Sequence, residues 1–356
     1  MSGSHRPGRW WLLNLTAATV APLVMVATTG LGLMAAPVQA LPAIPAPPLD
    51  PAAMLAQVGP AVVNIDTQMD YQSAVGAGTG IVLDPGGIVL TNNHVIAGAT
   101  GITAVSVGTG QTYDVDVLGF DRSHDVAVLQ LRGASGLPAA NIGSSARVAV
   151  GDPVVAMGNA GGHGGQPSAE PGRVIALNQT VSAADELTGS TETLNNMIKA
   201  DTAIRPGDSG GPMVNAAGQV IGMNTAASDN YKFAQPGGEG YAIPIDQAMA
   251  IAGQIRAGTP SSTVHIGETA FMGVGVVDDN GGARVAQVLA GTPAAASGIA
   301  KDDMITSVNG RPVNSATDLT DVLDQCHPGD TVTLSWRSAM GGDHSASVTL
   351  VPGPVG

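Results

Sequence analysis

Three short stretches of this chain carry side chains that together could cleave an acyl bond. The first is Leu90-Thr91-Asn92-Asn93-His94-Val95-Ile96, a histidine at the end of an apolar run. The second, His124-Asp125-Val126-Ala127-Val128-Leu129, sets an aspartate at the mouth of a buried strand. The third is Pro206-Gly207-Asp208-Ser209-Gly210-Gly211-Pro212. Acyl transfer at neutral pH needs a nucleophile, a base to take its proton and an anion to orient that base, and Ser209, His94 and Asp125 fill those roles. Gly207 permits a turn that aims its own N–H, with that of Ser209, at a developing oxyanion. Gly210 and Gly211 leave room for a substrate backbone. Singly, a histidine at a strand end is ordinarily structural and an aspartate before an apolar run is commonly a turn residue. Their company with Gly-Asp-Ser-Gly-Gly-Pro is what makes the signal specific.

Gly207-x-Ser209-x-Gly211 also fits the nucleophile elbow of α/β-hydrolases, which would make the protein an esterase. That elbow feeds a helix, and its enzymes run serine, acid, histidine along the chain. Here Gly-Gly-Pro and a strand follow, and the order is His94, Asp125, Ser209. Peptide-bond hydrolysis is therefore expected.

The elements that must position these residues are mostly strands. The chain has 356 residues, a length of two to three folding units, and 44% hydrophobic content is ample for a core. Glycine (49) and proline (24) are abundant while aromatics make up 3%, a bias toward tight turns and small-residue strands. From Ala61 to about Tyr241 short apolar runs alternate with Gly-rich turns, which points to a sandwich or a barrel. Helical spacing is expected over 51–57, over Ile245–Ile255, over Pro293–Ser297 and over Ser315–Cys326. Thr259-Pro-Ser-Ser-Thr263 reads as linker, followed by a mixed α/β unit of about 90 residues.

The blocks TNNHVI, HDVAVLQL, IRPGDSGGP, GQVIGMNTA and GYAIP resemble the HtrA (DegP-type) serine proteases. The resemblance implies a mainly β fold: a chymotrypsin-like pair of perpendicular six-stranded barrels followed by one small mixed α/β PDZ domain, with homotrimers in many members. His94 would be the general base, Asp125 its orienting partner and Ser209 the nucleophile. Gly207 and Ser209, with Asp208 as a third donor, would form the oxyanion hole. Asn224, Thr225 and Ala226 would pair with extended substrate, and Ile204 and Ala227 would line the specificity pocket. Neither is charged and Ala203 offers no carboxylate, so a small aliphatic side chain is expected at the cut site. One departure stands out: the family usually carries Asn before the serine, whereas this chain has Asp208, as digestive proteases do. In those enzymes that aspartate pairs with a newly freed N-terminal amine.

Phe271-Met272-Gly273-Val274 resembles the carboxylate-binding loop of PDZ domains, where backbone N–H groups hold a peptide terminus as it adds to a sheet edge. Met272, Gly273 and Val274, with Leu319, Val322 and Leu323 on the helix opposite, are the expected peptide groove. A PDZ-bearing chaperone or scaffold with a silent protease site is the alternative from another class.

The remaining signals set limits. The balance of 14 basic against 28 acidic side chains disfavours nucleic acid and anionic membranes as partners. Gly76-Ala-Gly78-Thr-Gly80 precedes a β run, not a helix, so it is no dinucleotide loop. His163 among glycines has no companion ligands, and no metal or other cofactor is expected. Arg6 and Arg9, an apolar stretch to about Ala36 and Val38-Gln39-Ala40 read as a signal peptide over 1–40, with export of the mature protein. A Pro-rich leader is expected over 41–51, the protease domain over 52–257, a linker over 258–265 and the PDZ domain over 266–352. Cys326 is the sole cysteine, so no intrachain disulfide holds the fold, and a buried packing role is expected for it.

Overall fold

A computed structural model describes residues 48–185, 191–225, 231–233, 240–279 and 282–355. The expected signal segment, and the leader up to residue 47, lie outside the described residues. At the leader's end Asp50 caps helix α1 (Pro51–Val58), accepting from the Ala52 N–H at 3.0 Å. Pro51 opens the helix, where its missing N–H costs nothing.

Beyond α1 the alternating pattern resolves into two closed barrels. The first comprises β1 (Val62–Met69), β2 (Ala74–Val82), β3 (Ile88–Thr91), β4 (Gly101–Ser106), β5 (Thr112–Asp121) and β6 (Val126–Leu131). Its neighbours run β5-β4-β1-β2-β3-β6, and a β5–β6 pairing closes the ring. The second comprises β7 (Pro153–Gly158), β8 (Ser168–Asp185), β9 (Thr191–Ala200), β10 (Pro212–Val214), β11 (Val220–Thr225) and β13 (Gly240–Pro244). Here β8-β7-β10-β11-β13-β9 is closed by β8–β9, and β12 (Tyr231–Phe233) lies against β8 outside the ring. Counted within its own barrel, each ring reads 1-2-3-6-5-4. The duplication that the sequence does not show is thus a matter of strand order.

β6 shows why its sequence is apolar at nearly every position. Val126 and Val128 face a cluster shared with Val155, Met157, Met223 and Ile243 of the second barrel. Ala127, Leu129 and Leu131 face the first barrel's interior with Val63, Ile65 and Phe120. With side chains alternating sides, a strand buried on both faces needs apolar residues throughout. One helical turn, α2 (Asn93–Ile96), follows β3 and carries His94. Helix α3 (Ile245–Arg256) buries Ile245, Ala248, Ile251, Ala252 and Ile255 against the shared cluster.

The expected linker is partly structural. Residues 264 and 265 belong to β14 (Val264–Ile266), which extends the first barrel's sheet by pairing with β5. The C-terminal domain follows: β15 (Ala270–Phe271), β16 (Val274–Asp279), β17 (Gly282–Val288), α4 (Pro293–Ser297), β18 (Met304–Val308), β19 (Arg311–Pro312), α5 (Ala316–Leu323), β20 (Thr331–Arg337), β21 (Asp343–Thr349) and β22 (Val351–Pro352). Its sheet runs β16-β17-β18-β20-β21, with β19 on β18 and a separate β15–β22 pair. Ser315 caps α5 through the Asp318 N–H, and Asp278 accepts from the Ala316 N–H. Cys326 is buried among this domain's core residues.

Both domains belong to one compact unit, Pro45–Gly356. The Arg122 guanidinium meets the Asp324 carboxylate at 3.0 Å, with 6% and 17% of those side chains exposed. His265 stacks between Phe120 and His327, with centroids 5.0 and 5.1 Å away, and its Nδ1 lies 2.6 Å from the Asp324 carbonyl. Val355 hydrogen-bonds back to Gly98 and Ala99, just beyond α2. Removing one partner of a nearly buried ion pair leaves a desolvated charge. Asp324→Ala is expected to lower unfolding free energy by about 3 kcal/mol in urea titration.

Candidate active site

Asp125 is the most constrained residue of the site. It follows a 3-10 turn, Arg122–His124, in the left-handed conformation with φ 54°, and its side chain has no exposure to solvent. Its Oδ1 accepts from the His94 backbone N–H at 3.0 Å, and its Oδ2 lies 2.9 Å from His94 Nδ1. Thr225 Oγ1 donates to Oδ2 at 3.1 Å, and Asn92 Nδ2 donates to the Asp125 carbonyl at 3.0 Å. A carboxylate on Nδ1 fixes the proton there and leaves Nε2 as the acceptor, the tautomer a general base needs.

The Ser209 turn is held as tightly. Asp208 N–H donates to the Arg205 carbonyl at 3.0 Å, Gly207 sits at φ 95° and Pro206 precedes it, the signature of a type II turn. A Cβ on Gly207 would collide with the Asn159 carbonyl. Gly161 N–H binds the Pro206 carbonyl at 2.7 Å, and Thr79 Oγ1 donates to the Gly207 carbonyl at 2.7 Å. Thr79 N–H also donates to the Ser209 carbonyl at 2.8 Å, while Thr91 Oγ1 donates to the Thr79 carbonyl at 2.7 Å. Thr91 ends β3, so a buried threonine on β2 ties the serine turn to the strand that delivers His94. Since the peptide planes on both sides of Gly207 are fixed by their carbonyls, its N–H direction is fixed too.

Several expected roles change. Asp208 cannot serve as a third oxyanion donor, because its N–H is taken up by Arg205. Asn224 does not pair with substrate: its N–H donates to the Gly211 carbonyl, its carbonyl accepts from Gly210, and its Nδ2 bonds the Met157 carbonyl. It is a strut beneath the serine turn. Thr225 is 1% exposed, and its side chain serves Asp125. Ala226 and Ala227 lie outside the described residues. Ile204 is half-buried, and its Cδ1 would stand 2.5 Å from a Cβ on Gly240, so these two residues border the same space. Ala203 is exposed.

In the C-terminal domain, Met272, Leu319 and Val322 are 1%, 3% and 6% exposed and belong to the core. Leu319 and Val322 are packing residues and not open groove walls, because α5 turns its 316–319–322 stripe onto the sheet, whereas the burial of the Met272 side chain leaves the expected role of its backbone N–H untouched. Val274 and Leu323 are half-buried, Gly273 holds φ 90°, and β16 is an edge strand.

Sequence reasoning missed Thr79, Thr91, Asn92, Asn159 and Ser168. The glycine-rich loop around His163 is pinned on both sides of its turn: Asn159 Oδ1 accepts from the Gly164 N–H, and Asn64 Nδ2 donates to the Gly165 carbonyl. Among the described residues no group of His, Cys, Asp or Glu could hold a metal ion. Asp208, 2% exposed, accepts from the Arg205 N–H at 2.8 Å and from Ser168 Oγ at 3.1 Å. Burial pushes its carboxyl up from the usual range, opposed by those two donors.

This arrangement can be set against known proteins. Residues 78–223 match the trypsin-like peptidase domain family, and residues 270–340 match the PDZ domain family. Serine protease PepD of Mycobacterium tuberculosis is 37% identical over 329 residues, covering 87% of this chain and 68% of the relative. The chain belongs to the HtrA-type serine proteases. The putative serine protease HhoA of Synechocystis is 32% identical, covering 84% of this chain and 83% of that one. Among solved structures, the HtrA-type protease AlgW with a tripeptide superposes at TM-score 0.50 and 28% identity, over 86% of this chain and 99% of that chain. As a family member the protein is a serine endopeptidase with one PDZ domain.

A carboxyl whose native titration point is raised binds more protons folded than unfolded between the two values, so stability falls as pH rises through that window. Asp208→Asn removes that loss. The melting temperature of the variant is expected to gain on the wild type as pH climbs from about 4 to 7, measured by scanning calorimetry in matched buffers.

Proposed function

We propose that the protein hydrolyses peptide bonds in unfolded or flexible protein segments through an acyl-enzyme on Ser209. The observation that carries this reading is the His94 imidazole seated on the buried Asp125 carboxylate, beside a serine turn with fixed peptide planes. His94 Nε2 takes the Ser209 proton as Oγ attacks the scissile carbonyl. The oxyanion is met by the N–H groups of Gly207 and Ser209, a donor pair of which each is worth about 10²–10³ in kcat. The imidazolium, balanced by Asp125, then passes its proton to the leaving amine, and water repeats the sequence to free the enzyme.

Substrate would pair where β11 ends, at Thr225, with its P1 side chain toward Ile204. A space bordered by the uncharged Ile204 and by Gly240 favours small aliphatic P1 residues. We assign the β16 edge, Gly273, Val274 and Leu323 to capture of a peptide terminus or extended segment. The N-terminal Arg6–Ala40 pattern supports export, and no helix among the described residues is long and apolar enough to cross a membrane.

A fluorophosphonate probe should label the wild type and not Ser209→Ala, and the variant should lose about 10⁵–10⁶ in kcat on an unfolded protein. Equal labelling of both, or of neither, would sink the protease reading and leave the scaffold one. Ile204→Ala should enlarge the P1 space. Its kcat/KM for a P1 leucine peptide relative to the P1 alanine peptide is expected to rise about tenfold, read by competition between the two peptides.

A further inference from the structure

Asp208 closes the oxyanion turn on itself. Its N–H donates to the Arg205 carbonyl while its Oδ2 accepts from the Arg205 N–H, so one residue grips both backbone groups of another. That grip holds only while the carboxylate keeps its orientation, and the second oxygen sets it. Oδ1 lies 3.1 Å from the Ser168 hydroxyl, which lies 3.2 Å from the Gly158 carbonyl. Ser168 on β8 pairs directly with Gly158 on β7. A Cβ on Gly158 would press on Asp208, 2.5 Å from its Cα and 2.7 Å from Oδ1. The two strands therefore form a slot with a hydroxyl at its end. The Arg205 guanidinium is turned to Glu170 Oε1, at 3.0 Å.

We infer that Ser168 is a positioning residue for the oxyanion turn, its hydroxyl doing for Asp208 what a freed N-terminal amine does in digestive proteases. This rests on the reading that Ser209 is the nucleophile. The hydroxyl has one proton and two acceptors, and an ionised carboxylate draws it more strongly than a neutral carbonyl. With Ser168 donating, Oδ1 is pinned, Oδ2 stays on Arg205, and the Gly207 N–H keeps its aim. Without it the carboxylate is free to swing, and misplacing a catalytic group by an ångström can cost about 10²-fold.

The test uses the full chain and a peptide p-nitroanilide with alanine at P1. Ser168→Ala should lower kcat about tenfold or more with KM nearly unchanged, while Ser168→Thr, which keeps the hydroxyl, should restore most of it. Ser168→Cys, of similar size and a weak donor, should fall between them and serves if the alanine variant folds poorly. In an Asp208→Asn background the same Ser168→Ala change should cost much less, because the amide brings its own donor to the Gly158 carbonyl. The inference is overturned by an unchanged kcat in Ser168→Ala, by a rise in KM alone, or by an equal penalty in both backgrounds. Ser209→Ala separates the two layers. If that variant keeps its activity, the nucleophile reading has failed. If it is inert while the Ser168 variants match the wild type, only the role of Ser168 has failed.

Discussion

A fully buried carboxylate is costly unless both of its oxygens are met by donors, and Asp125 meets that condition with donors drawn from both barrels. His94 comes from the turn after β3 of the first barrel, and Thr225 from the end of β11 in the second. Neither barrel alone could satisfy the charge, so the site exists only where the two rings face each other. The same requirement explains the apolar flanks. Val126 and Val128 on one side, with Met157 and Met223 on the other, exclude the water that would otherwise compete for the carboxylate.

The serine turn obeys a related constraint. A hole for an oxyanion must consist of N–H groups whose directions do not relax when charge develops, which requires that neighbouring carbonyls be tied down. Pro206 is tied by Gly161, Gly207 by Thr79, Asp208 by Gly211 and Ser209 by the Thr79 backbone. Thr79 is central because its N–H, hydroxyl and carbonyl each hold a different partner. The close approach of the serine loop to β2 depends on Gly210, where a Cβ would collide with the Thr79 carbonyl, while Gly78 and Gly80 make room for Val95 and for Val63 and Val89.

Much of this was legible in the residues. Strand alternation, the helix over Pro293–Ser297 and the order of His94, Asp125 and Ser209 are local patterns, and local patterns survive in one dimension. Asn224 was misread because a strand beside a catalytic loop has two possible customers, substrate and loop, and only hydrogen-bond partners distinguish them. Leu319 and Val322 were misread because an apolar stripe on a helix looks the same whether it faces a groove or a core. Ser168 lies 40 positions before Asp208, and a lone serine in a strand carries no sign of its partner. The shared strand order of the barrels was hidden because backbone hydrogen bonding tolerates any sequence that keeps the alternation.

The 3-10 turn Arg122–His124 links these considerations to the second domain. Its N-cap, Asp121, holds the His124 N–H and imidazole, raising the tendency of that ring to carry a proton, and also accepts from Thr263 beside β14. Its first residue, Arg122, is clamped by Asp324 at the end of α5. Its C-cap is Asp125 itself, in a left-handed conformation that is uncommon for a non-glycine residue and carries a backbone cost. The turn is therefore braced on one side by the β14 segment, on the other by the helix of the PDZ domain, and from within by the His94 and Thr225 contacts of the carboxylate that follows it. The strain at Asp125 is offset by contacts in two domains, which makes the placement of its carboxylate a property of the joined pair and not of the barrels alone.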